Sequence, residues 1–344
     1  MGAAGRVHPA GHWAWGQPCS PCSRLGTGAQ LEHPAPKPRA PHSPGTLGVT
    51  TCPTDPQSHP LPHGHGTMLI LKCPGQLQLL EETLRKSLPA TLPVLGTVMT
   101  VARGNPAAHE VLVDSWPHFG VVLTRLRPEE QRDPGDFYTN QLTVYYRDEG
   151  AWRALLGGTE AVDWSRAFQI HGMQEGMYEA TREVADAKGL WLETYRYQAL
   201  LSPQPPQPRV QVPPGLRLAP VSPSHIPLLN ATWSFGGNAR SRRFLLGLVR
   251  ALPSACLLGP RGRPVSWSLL DPLGSLSHGY TLPAWRGQGL SGVILGALGR
   301  GLHARGFPIY CGVFPHNTPS QRAVRSVGFL PQPGTFYTLV ITPK

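Results

Sequence analysis

Residues 281–292, TLPAWRGQGLSG, commit this chain to one local geometry. The preceding SLSHGYTLP (275–283) reads as a strand. From there on Leu290, Val293, Ile294, Ala297, Leu298 and Leu302 recur at helical spacing, and Gly306 stands where a C-terminal cap belongs. A strand that passes into a helix across two glycines exposes the first backbone N–H groups of that helix. Those groups have no intrahelical partner and carry the positive end of the helix dipole. Gly287 and Gly289 let the backbone approach a bulky anion with no Cβ in the way, and Arg286 adds a charge-assisted donor. The combination is a cradle for a pyrophosphate. It is not a Walker loop, because the Gly-Lys-Ser/Thr ending is absent. It is not a dinucleotide fingerprint either, because no acidic residue follows Asp271 to hold a ribose.

The rest of the chain divides by composition. Residues 1–67 hold 12 of the 39 prolines and little that forms a core, so this extension is expected to be disordered. Met68 opens an apolar stretch, followed by a helix with leucines at 77, 80, 84 and 88 and by a strand-like run at 94–101. Strands are expected at 119–126 and 140–148, and helices at 149–157 and 174–189. The proline-dense, aperiodic segment LLSPQPPQPRVQVPPG (200–215) reads as an extended linker and sets a boundary between 68–207 and 208–344. Beyond it, LRLAP is a strand, SPSHIPLLNATW a capped helix and 240–252 a second helix. Three strands follow at 255–260, 264–271 and 275–283, joined by the turns PRGRP and DPLG. After the cradle helix come a strand at 307–314, a helix at 317–329 capped by Asn317, and a last strand at 335–343. The layout is mixed α/β.

Charge is distributed unevenly. Residues 68–207 carry thirteen basic and seventeen acidic side chains, whereas 208–344 carry fourteen basic ones and a single acid, Asp271. A basic unit beside an acidic one points to a local anionic ligand. Interleaved aromatics and basic runs that track a phosphate backbone are missing, so nucleic acid is not the expected partner. No apolar run is long enough for a membrane span. Cys19-Ser-Pro-Cys22 has zinc-like spacing, but no second pair with finger spacing follows, and no metal is expected.

The pattern Arg286-Gly287-Gln288-Gly289-Leu290-Ser291 resembles the coenzyme A-binding motif of the GCN5-related N-acetyltransferase superfamily, and NTPSQRAVRSVGF resembles its later Asn-helix-Gly-Phe segment. Many further blocks are similar, in order, to those of the glycine N-acyltransferase family: LRKSLPATLPVLGTV, RGNPAAHEVLVDSWPHF, WSFGGNARSRRF, GRPVSWSLLD, GYTLPAWRGQG and RGFPIY. The resemblance covers 68–344 and leaves 1–67 outside. It implies two tandem acyltransferase-like domains, 68–207 divergent and 208–344 catalytic, each with a mostly antiparallel central sheet flanked by helices. It also implies transfer of an acyl group from acyl-CoA, as cosubstrate rather than resident cofactor, to the amino group of glycine or a similar small amino acid. The substrates are small molecules and the protein is expected to be a monomer. A mitochondrial location is expected, with cytoplasm or endoplasmic reticulum as alternatives.

Such a reaction needs an amine freed of its proton, a polarised thioester carbonyl and a departing thiolate. Backbone groups of Tyr280, Thr281 and Leu282 are expected to hold the pantetheine arm, with Arg286, Gly287, Gln288, Gly289, Leu290, Ser291 and Asn317 around the phosphates. The family places a Glu, acting as base, where this chain has Ser275, and the superfamily's Tyr acid corresponds to Val324. A serine can order a water but cannot take a proton near neutral pH. His278 is the one imidazole on that strand and has a suitable ordinary pKa. Strict alternation puts it on the face opposite Ser275 unless a bulge intervenes. The catalytic candidates are therefore His278 and Ser275; an acidic base would have to be Asp271 or come from the other domain, and Asp271 is expected rather to cap the DPLG turn. Arg240, Arg242 and Arg243 are either an acceptor-carboxylate site or a solvated basic face. Trp233, Phe235 and Trp285 are candidates for an acyl channel. The competing reading is a coenzyme A-binding protein with little turnover, because its base is missing.

Overall fold

The computed structural model describes residues 68–158 and 161–344. The extension 1–67 and its Cys19/Cys22 pair lie outside the described residues. In chain order the first part holds β1 (Leu69–Ile70), α1 (Pro74–Arg85), α2 (Leu92–Ala102), β2 (His109–Val113), β3 (Val121–Leu126), β4 (Gln141–Tyr146), α3 (Glu149–Gly157), β5 (Phe168–Gly172), α4 (Glu175–Ala187) and β6 (Trp191–Ser202). After the proline-rich segment come β7 (Arg217–Ala219), α5 (Ile226–Thr232), α6 (Ala239–Ala251), β8 (Ser254–Leu258), β9 (Pro264–Leu270) and β10 (Leu276–Thr281). The chain ends with α7 (Leu290–Ala304), β11 (Ile309–Val313), α8 (Thr318–Arg325), β12 (Leu330–Pro331) and β13 (Phe336–Thr342). The mixed α/β class, with mostly antiparallel sheets flanked by helices, is as expected; among the described residues only β4 and β5 pair in parallel. No helix among the described residues is long and apolar enough to cross a membrane.

Several elements depart from the sequence reading. The run at 94–101 is not a strand but the centre of α2. Every residue from Leu92 to Thr100 is buried, so the helix is apolar all round and shows no one-sided period. Its threonines satisfy themselves along the helix, Thr97 Oγ1 donating to Pro93 O at 2.9 Å and Thr100 Oγ1 to Gly96 O at 2.9 Å. Strands β2, β5 and β6 were not foreseen at all.

The sheets do not follow the order of the chain. The larger runs β1-β2-β3-β4-β5-β13-β6-β11, with β12 also on β6, and the smaller runs β10-β9-β8-β7. The last strand, β13, thus enters between β5 and β6, pairing Val340 with both Gln169 and Glu193. Strand β11 is held on the far side of β6, Cys311 opposite Leu200. Consecutive in fold position, β10 and β11 therefore belong to different sheets.

The proline-rich segment is not a loose spacer. Helix α7 presents Gly292, Gly296 and Gly299 as a bare row, and Pro206 and Pro208 lie against it. A Cβ on Gly296 would stand 3.0 Å from Pro208 Cδ, and one on Gly299 would overlap the Pro206 ring. Gln207 N donates to Val327 O at 3.1 Å and Arg209 Nε to Ser326 O at 3.1 Å, which pins the segment between α7 and α8.

Further ties cross between residues before and after this segment. Arg240 grips Asp133 through two hydrogen bonds, Nε to Oδ2 at 2.9 Å and Nη2 to Oδ1 at 3.1 Å, and Arg243 Nη2 adds a third at 2.8 Å. These guanidiniums, Arg240 first, hold the Asp133 carboxyl down at about 2. Arg240, Arg242 and Arg243 are all exposed, but Arg240 and Arg243 are engaged by Asp133 rather than by solvent alone or an acceptor site. Tyr138 Oη donates to Phe235 O at 2.6 Å and receives Asn238 Nδ2 at 2.9 Å.

The glycine row generates a paired prediction. Gly299→Ala is expected to destabilise the protein by about 1–3 kcal/mol, because the methyl must displace Pro206. Gly301→Ala on the same helix meets nothing within 4 Å and should stabilise by up to about 1 kcal/mol. Chemical denaturation of the two variants checks the sign; equal shifts would contradict the packing.

Candidate active site

Two concavities flank β10. The first is the cradle. After Thr281 a short turn, Pro283–Trp285, leads to Gly287 and Gly289, whose φ angles of 77° and 71° are left-handed and disfavour any side chain. Gly289 is the N-cap of α7 and offers no side chain to cap it. The first residues of α7, Leu290 to Gly292, line a groove of about 500 Å³. Three arginines line it, Arg209, Arg286 and Arg322, with no acidic residue among the lining side chains. A multiply charged anion is what this surface selects.

The sequence-predicted residues fall here unevenly. Thr281, Arg286, Gly287, Gly289, Leu290 and Ser291 line the groove. Gln288 is exposed at the tip of the turn and is not part of the wall. Asn317 is buried as the cap of α8, accepting from Ser320 N at 3.2 Å, and does not reach the groove. Tyr280 is buried and stacks on Trp267 with ring centroids 5.2 Å apart. The N–H of Leu282 donates to Val265 O at 2.9 Å and is not free to hold a ligand. Arg286 braces the turn as well as facing the groove, its Nε donating to Thr281 O at 3.0 Å and its Nη2 to Tyr280 Oη at 3.3 Å. Trp285 lines this groove rather than an acyl channel. Arg209 and Arg322 were missed; the basic skew of 208–344 was their only signal.

The second concavity, of about 150 Å³, lies at the other end of β10. Its walls come from both parts of the chain: Tyr138, His171, Tyr195 and Tyr197 on one side, Trp233, Phe235, Phe244 and the 271–278 hairpin on the other. A narrow gap of about 20 Å³ adjoins the cavity, bordered by Ser277 and Gly279 of β10 and by Cys311 and Gly312 of β11. Ser277 and Gly312 border both gap and cavity. The gap exists because β10 hydrogen bonds to β9 and β11 to β6.

Ser275 and His278 both line the cavity. Alternation alone forbids this; the register of β10 on β9 slips between Ser277 and Tyr280, and His278 takes a left-handed φ of 52°. The imidazole stands edge-on to Trp233, centroids 4.6 Å apart, and burial pushes its pKa down to about 3. At neutral pH it is uncharged and a feeble base, which weakens the case for His278.

Asp271, expected first as a turn cap and otherwise as an acidic base, does cap the turn. Its Oδ1 accepts from Leu273 N at 3.0 Å and Ser275 N at 2.9 Å. It also lines the cavity, where burial raises its pKa to about 7 against the pull of those same N–H groups. The turn itself is wedged. Gly96 of α2 lies so close to Leu273 O that any Cβ would overlap it, and Tyr310 Oη donates to the same oxygen at 2.7 Å.

A family model described as aralkyl acyl-CoA:amino acid N-acyltransferase matches residues 68–253, and the model of its C-terminal region matches 255–343. The glycine N-acyltransferase of Rattus norvegicus is 34% identical over 285 residues, covering 78% of this chain and 96% of that protein. The glycine N-phenylacetyltransferase of Bos taurus is 36% identical over 261 residues, covering 71% of this chain and 88% of that protein. Among solved structures, a Drosophila protein superposes with a TM-score of 0.63 at 14% identity, covering 81% of this chain and 99% of that one. At that identity the likeness shows the fold alone.

The raised pKa of Asp271 has a consequence for stability. Its folded value of about 7 lies above the ordinary 3.8, so the neutral acid favours the fold. That contribution is complete below about pH 4 and is lost as pH rises through 7. Asp271→Asn keeps the capping oxygen and cannot ionise. Its melting temperature relative to the parent is expected to climb by roughly 3 °C or more between pH 4 and pH 8. A difference that stays constant across that range would contradict the burial of a titrating acid.

Proposed function

The chain belongs to the aralkyl acyl-CoA:amino acid N-acyltransferase family, and from that premise we propose that it transfers an acyl group from acyl-CoA to the amino group of glycine or a similar small amino acid. The observation that carries this reading is the α7 N-terminus without a side-chain cap, in an arginine-lined groove at one end of β10, with an aromatic cavity at the other end of the same strand. The diphosphate of coenzyme A sits on the α7 amides, with Arg209, Arg286 and Arg322 as counter-charges. The pantetheine arm follows the gap between β10 and β11, whose separation frees one edge of each strand for an elongated ligand. The thioester then reaches the cavity at the level of Ser275 and Asp271.

There the amine nitrogen attacks the thioester carbon. The C–N bond forms, the C–S bond breaks, and the proton shed by nitrogen is the one that the departing thiolate requires. The cavity is of the size that holds a benzene ring, about 150 Å³. Its walls are mainly aromatic, Trp233 and Phe235 among them, which suits an aryl-bearing acyl group such as phenylacetyl. Coenzyme A enters and leaves as a cosubstrate.

Incubation with phenylacetyl-CoA and glycine is expected to release free thiol and form the acylglycine. Gly289→Asp, which places a carboxylate in the anion cradle, should abolish acyl-CoA binding. Arg209→Ala and Arg322→Ala should each raise the KM for acyl-CoA by about tenfold or more, the loss of one charged hydrogen bond. Thiol release unaffected by all three variants would refute the groove as the coenzyme site.

A further inference from the structure

Ser275 and the Asp271 carboxylate line the same wall of the aromatic cavity, and a serine hydroxyl cannot take a proton near neutral pH. Resting on the acyltransfer reading above, we infer that the Asp271 carboxylate is the general base of this enzyme, reaching the reacting amine from the opposite limb of the hairpin turn.

Position is the first argument. The DPLGS turn folds Ser275 back onto Asp271, with Asp271 N donating to Ser275 O at 3.1 Å and Ser275 N to Asp271 Oδ1 at 2.9 Å. The carboxylate is therefore next to the backbone from which a side chain at 275 would spring, on the same cavity wall. Rigidity is the second. Oδ1 is fixed by two backbone N–H groups, and the turn is wedged by Gly96 and Tyr310. The alternatives are weaker. Glu193, the other carboxylate on the cavity, is exposed and accepts the Tyr195 hydroxyl at 2.6 Å. His278 and His171 are both held near 3 by burial, and His171 Nδ1 lies 3.0 Å from Thr338 Oγ1.

Chemistry agrees with placement. With burial raising its pKa to about 7, Asp271 is half ionised at neutral pH, where a base of that strength is most effective. In the step, one N–H proton of the acceptor passes to Asp271 as the C–N bond forms and the C–S bond breaks. An equivalent proton reaches the coenzyme A sulfur through water, and Asp271 returns to its ionised form. The titratable groups that face it are His278 on β10, His171 on β5, Glu193, Tyr195 and Tyr197 on β6, Tyr138, and Tyr310 on β11. Both histidines are neutral over the working range, so a single rising limb is expected.

The test is Asp271→Asn in the full chain, with acyl-CoA binding, melting temperature and turnover measured together. Asn keeps the Oδ1 acceptor for Leu273 N and Ser275 N. The variant is expected to bind acyl-CoA within about twofold of the parent and to melt no lower at pH 8, yet to lose about 100-fold or more in kcat. The parent's kcat/KM should rise with pH through a midpoint near 7, and that limb should vanish in the variant. Asp271→Asn combined with Ser275→Glu, which returns a carboxylate to the same wall, should recover much of the rate. Parental kcat with an unchanged pH limb in Asp271→Asn would overturn the assignment while leaving the acyltransfer reading intact. So would a rate loss accompanied by lost binding and lowered melting, which reduces Asp271 to a turn cap. A parent that binds acyl-CoA but releases no thiol with glycine would overturn the acyltransfer reading and this inference with it.

Discussion

The separation of β10 from β11 is the constraint from which the rest of the site follows. In a continuous sheet these two strands would bond to each other and close the space between them. Here the twelve-residue β6 takes β11 on one edge and β13 on the other, so β11 is drawn into the larger sheet while β10 ends the smaller one. Backbone hydrogen bonds are cooperative along a ladder, and β6 offers a long one. The gap is thus held open by pairing elsewhere rather than by side chains wedged within it. Because β13 must cross to β5 to complete this arrangement, residues from both parts of the chain wall the same cavity. The two parts are not independent modules joined by a string; even the proline segment is packed onto the glycine row of α7.

What the sequence disclosed tracks how local the determining physics is. The cradle was legible because glycines at left-handed φ and an apolar helical period act within a dozen residues; Gly287, Gly289 and α7 are where the pattern put them. The Asn317 cap and the 275–283 strand belong to the same class. Helix α2 was misread because burial on every side erased its period, and that burial depends on sheets contributed from elsewhere. Strand β6 went unseen because its apolar residues are spread among charged and aromatic ones, with burial rising only towards its C-terminal half. Arg209 could not be recognised as a groove residue, since its position depends on how the linker lies against α7 and α8. The bulge that turns His278 into the cavity was named as a requirement, but nothing in the local sequence dictates it.

The basic skew of the second part resolves into two uses. Arg240 and Arg243 are taken up by Asp133 of the acidic first part, a contact that pulls the two parts together across the solvent. Being exposed, it is worth little as an isolated ion pair, and its service is orientation. Arg209, Arg286 and Arg322 instead crowd around a groove that has no acid to answer them. Like charges gathered without a partner repel one another, and their retention is understandable where an anion completes the set.

Around the cavity desolvation acts on the buried acid and the two buried imidazoles in the direction of neutrality. Desolvation lifts Asp271 and depresses His171 and His278, so the walls carry little formal charge and tolerate an apolar acyl group. The groups end in different places because the opposing forces differ. For both imidazoles desolvation is the leading cause, and both fall far below the range in which they could exchange protons at neutral pH. For Asp271 the N–H groups of Leu273 and Ser275 pull back, and the carboxyl settles near 7 instead of climbing further. The capping role and the proton-accepting role are therefore one arrangement. The hydrogen bonds that fix the turn are also what keep the acid ionisable inside a cavity that would otherwise neutralise it.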